Sequence, residues 1–207
     1  MDKVAALVLT AGASRRMGTP KALLPWGQTT VIQHLLRQIR AAGLTETLLV
    51  TGAHHGDIHE ALADEGVEIC FHPDWELGMG STISTGIQEV EQRFSAIDTI
   101  LILLVDQPLI THGYLMRILD AHQNQPDVII ASDYGNFAGA PALFPRNFWK
   151  ALKSIPPAQG ARRLIASYRD ECHVLDPADA IADIDTPEAY QKALAVYLSN
   201  HTKNINK

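Results

Sequence analysis

The chain has 207 residues, 46% of them hydrophobic and 19% charged, with a formal net charge of −6 at pH 7. That length suits one α/β domain with a sizeable core, and the composition is that of an ordinary globular protein. No basic tract is present to follow a phosphate backbone, which argues against a nucleic-acid partner. No apolar run nears the roughly 18 residues of a membrane span.

Met1-Asp2-Lys3 leads straight into an apolar run, Val4 to Leu9, of the kind a strand buried on both faces needs. With no room for a signal peptide before it, a cytoplasmic chain is expected. At Gly12 the run breaks into a loop of small residues that carries Arg15, Arg16 and Lys21 within ten positions. A glycine lets backbone approach a ligand, and successive backbone N–H groups make a concavity for anions. With three cations beside it, the loop suits a polyphosphate; the competing reading is an ordinary turn with solvated arginines. Neither the P-loop spacing nor the dinucleotide fingerprint fits it.

Further on, Thr29 and Thr30 can cap a helix predicted over 31–42, with Gly43 as its stop. A strand is predicted over 47–51, ended by Gly52, followed by a short helix near 58–63 and a third strand at 67–71. Gly78-Met79-Gly80-Ser81-Thr82 opens a helix that runs to about residue 93. Its free N–H groups and hydroxyls suit an anion or a base carbonyl, although plain capping serves Ser81 and Thr82 equally well. The strongest strand spans 99–105 and ends on Asp106. A helix over 111–122, a strand at 128–131 and an irregular excursion at 133–143 come next. Short helices near 147–153 and 161–168, a strand at 172–175 and a final helix from about 185 to 198 complete the pattern. Residues 200–207 read as a polar, frayed tail after a single domain over 1–199. Strands alternating with helices predict a mostly parallel sheet covered on both faces.

Cys70 and Cys172 lie far apart in apolar contexts and read as reduced, buried thiols. His54 and His55 have no ligand type at metal spacing, so solvent exposure is expected for them. Asp106 stands at the carboxyl end of the most buried strand, where open α/β sheets bind ligands. A carboxylate there can hold Mg²⁺, which takes few protein oxygens and the rest from phosphate and water; alternatively it caps the turn. Asp183 and Asp185, two apart, share a side if the segment is extended. One of them can complete such a site, and Asp185 or Thr186 before Pro187 can cap the last helix.

Leu9, Ala11, Gly12, Ser14, Arg16, Met17, Gly18, Lys21, Leu23 and Leu24 stand at the spacing Leu-x-Ala-Gly-x-Ser-x-Arg-Met-Gly-x-x-Lys-x-Leu-Leu. This resembles the opening of the molybdopterin cytidylyl- and guanylyltransferases. Further likenesses are Asp106-Gln107-Pro108 to their Asp-x-Pro, Asp183 to Pro187 to their Asp-x-Asp-Thr-Pro, and Gly78 to Thr82 to their Gly-Met-x-Ser-Ser. Gly139-Ala140-Pro141-Ala142-Leu143 is similar to their Gly-x-Pro-x-Leu, with Ala140 where many carry histidine. Gly160-Ala161-Arg162 matches a further segment.

The resemblance implies a Rossmann-like three-layer α/β/α nucleotidyltransferase fold. It implies transfer of a nucleoside monophosphate from an NTP to a phosphate-bearing acceptor of the molybdopterin type, with pyrophosphate released. Thr10, Ala11, Gly12, Ala13, Ser14, Arg15, Arg16, Lys21, Gly52, Gly80 and Ser81 would then lie on the nucleotide side, and Gly139 and Pro141 on the acceptor side. Arg16, Lys21 and Asp106 would serve the reaction, with Mg²⁺ on Asp106 and on Asp185 or Asp183. A molybdoenzyme or its maturation chaperone would be a partner. Thr10-Ala11-Gly12 is closer to the cytidylyl than to the guanylyl pattern, and Ala11 leaves less room for a base, so CTP is expected over GTP. Competing readings are a guanylyltransferase, a sugar-nucleotide type of pyrophosphorylase, a non-catalytic chaperone for the cofactor, and a dehydrogenase. The missing dinucleotide fingerprint argues against the last.

Overall fold

The computed structural model describes residues 3–14, 16–178 and 181–205, so Arg15 lies outside the described residues. The elements are β1 (Val4–Thr10), β2 (Pro25–Trp26), β3 (Thr29–Thr30), α1 (Val31–Ala41), β4 (Glu46–Thr51), α2 (His55–Ala61), β5 (Glu68–Phe71) and α3 (Met79–Arg93). They continue with β6 (Thr99–Leu104), α4 (His112–Asn124), β7 (Ile129–Asp133), β8 (Ala138–Pro145), α5 (Trp149–Lys153), α6 (Ala161–Ser167), β9 (Cys172–Leu175) and α7 (Pro187–Ile205).

Seven strands form the central sheet in the order β5-β4-β1-β6-β8-β7-β9. Every strand runs parallel to the others except β8, which is antiparallel to both β6 and β7. The strands in the middle are apolar on both faces, and alternate residues divide between two cores. Leu7, Leu48, Ile100 and Ile102 meet Ile83 and Ile87 of α3 and Trp149 of α5. On the other face, Val8, Leu49, Leu101 and Leu103 meet Ile32, Leu35 and Ile39 of α1 and Leu115 and Ile118 of α4. The result is the three-layer α/β/α arrangement with a mostly parallel sheet.

Thr30 and Gln33 cap α1 reciprocally. The Thr30 side chain accepts from the Gln33 N–H, and the Gln33 side chain accepts from the Thr30 N–H at 3.1 Å. Ile32, Leu35, Leu36 and Ile39 fall on one stripe of that helix and are all buried.

A third, smaller core packs residues 24–31 against residues 184–193. Leu24, Trp26, Val31, Ile184, Tyr190 and Ala193 cluster together, and the Tyr190 hydroxyl donates to the Pro25 carbonyl at 2.6 Å. It fixes the segment after Lys21 against the segment that carries Asp185.

The structure departs from the sequence expectations in a few places. Residues 138–145 form a central strand where an irregular excursion was expected. The chain from 200 to 205 continues α7 and is not a separate tail. Residues 25–30 hold a two-stranded ribbon, β2 with β3. Helix α2 begins three residues before the expected start. Both cysteines are free thiols, but Cys172 is half-buried where full burial was expected.

Candidate active site

A cleft of about 680 Å³ opens at the carboxyl ends of β1 and β6, and Thr10, Ala11, Gly12, Ser14, Lys21 and Asp106 all line it. The loop after β1 forms one wall. Ser14 sits at φ 49°, a left-handed conformation uncommon for a side chain other than glycine. Its hydroxyl accepts from the Lys21 N–H at 3.1 Å, and its carbonyl accepts from the Met17 N–H at 2.9 Å. The backbone of the loop and the start of the Lys21 side chain are thereby held in one frame.

The loop is also tied to the neighbouring strand. The Ala53 N–H donates to the Ala11 carbonyl at 3.2 Å, and His54 Nε2 lies 3.1 Å from the Ala13 carbonyl. His54 therefore lines the cleft and holds the loop, contrary to the expectation of plain exposure. His55, also expected to be exposed, bonds Thr51 at 2.8 Å through Nδ1. Gly52 is buried under the loop. A Cβ there would stand 2.6 Å from the Ala11 carbonyl oxygen and 2.6 Å from Trp75, so the close approach of the two strand ends requires glycine.

Lys21 lies between two carboxylates. Its Nζ is 3.3 Å from Asp106 Oδ2 and forms a closer ion pair with Asp185 Oδ1. Burial opposes the ammonium, but Asp185 and Asp106 outweigh it and hold the pKa above the usual lysine value. Burial pushes the Asp106 carboxyl up, Lys21 opposes that, and nearby Asp183 adds to the rise. Asp106 Oδ1 is buried and has no hydrogen-bond partner among the described residues. Arg16 is 76% exposed, with Nη1 3.9 Å from Asp185 Oδ2.

The two carboxyl-terminal aspartates part company. Asp183 accepts from Gln107 Nε2 at 2.9 Å, while Asp185 faces Lys21. Capping of α7 falls to Thr186, whose hydroxyl oxygen accepts from the Ala189 N–H at 3.2 Å. Lys21 thus joins Asp185 to Asp106, while Asp183 lies near Asp106 and is tied to Gln107.

Gly80 and Ser81 stand behind the cleft wall. The Gly80 N–H donates to the Pro157 carbonyl at 2.8 Å. The Ser81 hydroxyl donates to the Gly78 carbonyl at 2.7 Å and lies 3.0 Å from His72 Nε2. Gly78, Met79 and Thr82 line the cleft in their stead. Gly139 and Pro141 are buried along β8, next to the turn that carries Tyr134.

Two residues that sequence reasoning passed over connect these parts. Gln107 is fully buried, and its amide nitrogen donates to the Tyr134 hydroxyl at 2.6 Å as well as to Asp183. Tyr134 passes its own hydrogen to the Ala140 carbonyl at 2.6 Å. The available signal was Asp133-Tyr134-Gly135-Asn136, a hairpin turn with glycine.

Among the described residues no group of three or more His, Cys, Asp or Glu side chains is arranged for a metal. Two hard oxygen donors, one of them an orphaned buried oxygen, still fit Mg²⁺, which completes its shell with phosphate and water.

The family description of a MobA-like NTP transferase domain matches residues 6–172. The chain belongs to that family. Its fold is therefore that of a nucleotidyltransferase. The purine catabolism protein PucB of Bacillus subtilis is 28% identical over 88% of this chain and 91% of its own. A nicotine blue oxidoreductase of Paenarthrobacter nicotinovorans is 27% identical over 92% and 96%. The molybdenum cofactor cytidylyltransferase of Escherichia coli is 23% identical over 95% and 98%. A probable molybdenum cofactor guanylyltransferase of Bacillus cereus is 29% identical over 93% and 96%.

Among solved structures, a Mycobacterium sp. strain JC1 homologue of Rv0371c is 30% identical, with a TM-score of 0.81 over 95% of this chain and 98% of its own. Rv0371c of Mycobacterium tuberculosis in complex with manganese is 26% identical, with a TM-score of 0.75 over 93% and 98%. No helix among the described residues is long and apolar enough to cross a membrane.

Proposed function

We propose that this nucleotidyltransferase is Mg²⁺-dependent and moves CMP from CTP to the phosphate of a molybdopterin-type acceptor in the cytoplasm. The observation that carries the reading is the placement of Lys21 between Asp106 and Asp185, at the mouth of the loop Thr10 to Ser14, in one cleft. The acceptor's phosphate oxygen attacks the α-phosphorus, the bond to the bridging oxygen of the β-phosphate breaks, and pyrophosphate leaves. That nucleophile is already an anion, so no activated serine or cysteine is required.

Catalysis of this kind rests on position and charge. Backbone N–H groups of residues 11–14 would hold the phosphates. Lys21 and Arg16 would offset charge on the transferred group and on pyrophosphate. Asp106 and Asp185 would hold Mg²⁺, which polarises the phosphoryl oxygens when bound. The acceptor would lie toward Gly139 and Pro141, and a molybdoenzyme or its maturation chaperone would receive the product.

Support for the acceptor class comes from the name of the Escherichia coli relative, and support for CTP from Ala11 at the base end of the loop. The name of the Bacillus cereus relative favours a second reading with GTP. The test is a competition. The chain, Mg²⁺, molybdopterin acceptor and equal CTP and GTP are mixed, and both dinucleotide products are weighed by mass spectrometry. A mismatched buried donor or acceptor costs about 1–3 kcal/mol, so cytosine product should dominate. A guanine-dominated mixture overturns the CTP assignment, and no product with either nucleotide favours a binding role without turnover.

A further inference from the structure

The geometry points to a second task for Lys21: its ammonium is the resident cation of the Asp106–Asp185 pair and yields that place to a divalent metal. This deepens the proposed reading and rests on it. Asp106 closes β6 and Asp185 precedes α7, so the fold brings together two carboxylates from distant parts of the chain. Left alone they would repel each other. Lys21 Nζ contacts both, and its side chain is only 15% exposed. A metal held by Asp106 and Asp185 would compete with the ammonium that contacts both. Asp106 Oδ1, buried and without a hydrogen-bond partner among the described residues, remains for a hard cation to take.

The displaced ammonium has somewhere to go. The Lys21 N–H is anchored on the Ser14 hydroxyl, and Lys21 lines the same cleft as Ala11, Gly12 and Ser14. Rotation of its four-carbon stem therefore carries the charge toward an anion seated on that loop. Arg16 is a poor substitute, since its side chain is 76% exposed and its Nη1 lies 3.9 Å from Asp185 Oδ2. Metal alone must displace a paired ammonium and binds weakly. Metal arriving with a polyphosphate gives that ammonium a new partner, so the two load together.

The exchange is tested by titrating Mn²⁺ into the full chain without nucleotide and reading free Mn²⁺ by electron paramagnetic resonance. Lys21→Met should tighten Mn²⁺ by about tenfold or more, because it removes a competing charge at contact distance. Lys21→Arg, which keeps the charge, should leave binding weak, and adding Asp106→Asn to Lys21→Met should abolish the gain. If Lys21→Met binds no tighter than wild type while Asp106→Asn still weakens binding, the exchange is wrong and the metal reading stands. If Asp106→Asn changes nothing in either background, both fail. Circular dichroism checks each fold, and Lys21→Gln is read in the same way should Lys21→Met not fold.

Discussion

Gln107 and Asp183 are 76 residues apart in sequence and joined by a hydrogen bond of 2.9 Å from the buried amide nitrogen to the carboxylate. Beside it, the Ile184 N–H donates to the Asp106 carbonyl at 2.9 Å. The turn after β6 is thus fastened to the segment before α7 by side chain and backbone alike. Tyr134 gives its own hydrogen to the Ala140 carbonyl and so accepts from Gln107, which fixes the amide with its nitrogen toward Tyr134 and Asp183.

Gln107→Met should remove both donors at nearly constant volume. It leaves the Asp183 and Tyr134 oxygens unpaired, at a cost of about 1–3 kcal/mol in urea unfolding. A double-mutant cycle with Asp183→Ala should show a coupling of about 0.5 kcal/mol or more. Strict additivity would mean that the bond contributes nothing.

Gly12→Ala separates ligand approach from folding. A Cβ at Gly12 meets no atom within 4 Å. The melting temperature should therefore stay within about a degree of wild type, while affinity for NTP should fall because the methyl group would stand where the proposed phosphate site lies. Unchanged NTP affinity would remove Gly12 from the phosphate wall.

The main elements were legible because their signals are local. Val4 to Leu9 and Ile100 to Val105 are apolar without interruption, and Thr30 with Gln33 spells a helix start. The loop from Leu9 to Leu24 carries its own spacing. Strand β8 was not legible, since Gly139, Ala140 and Pro141 read as loop residues. A register shift opposite Ala131 and Ser132 lets the strand pass Pro141, which has no N–H to give a ladder. The extension of α7 was missed through reading polarity as fraying, although no glycine or proline follows Pro187. Within the site, Lys21, Asp106 and Asp185 could be named from their motifs. His54 and Gln107 could not, because their partners, Ala13 and Asp183, are distant in sequence.

Stability should depend on pH through His72, which is 5% exposed. Ser81 gives its hydrogen to Gly78, so it accepts from His72 Nε2, and Thr85 donates to Nδ1 at 3.2 Å. Burial lowers the pKa of this ring below its ordinary 6.5, and Asp74 opposes that weakly. The folded state then binds fewer protons than the unfolded state. Its contribution is complete above about pH 6.5 and declines as pH falls from there toward the lower folded value. Urea unfolding of wild type and His72→Gln should show the difference between them constant above that pH and shifting against wild type below it. A difference independent of pH would contradict a neutral, buried ring.

Lys21→Ala should lower turnover more than it weakens nucleotide binding, because in the proposed reaction the ammonium would act on charge that grows during transfer. Loss of one such partner costs about 10²–10³ in rate. Steady-state kinetics at saturating Mg²⁺ decides it, and activity within about threefold of wild type would place Lys21 outside the reaction.

If Asp106 holds the metal of a nucleotidyl transfer, pyrophosphate release from CTP with Mg²⁺ and a molybdopterin acceptor should depend on it, and wild type is compared with Asp106→Asn. Wild type should release pyrophosphate steadily and the variant should lose about 10²-fold or more, with its circular dichroism and melting unchanged. Release by Asp106→Asn at the wild-type rate would contradict this reading, as would a wild-type chain that releases no pyrophosphate from either CTP or GTP.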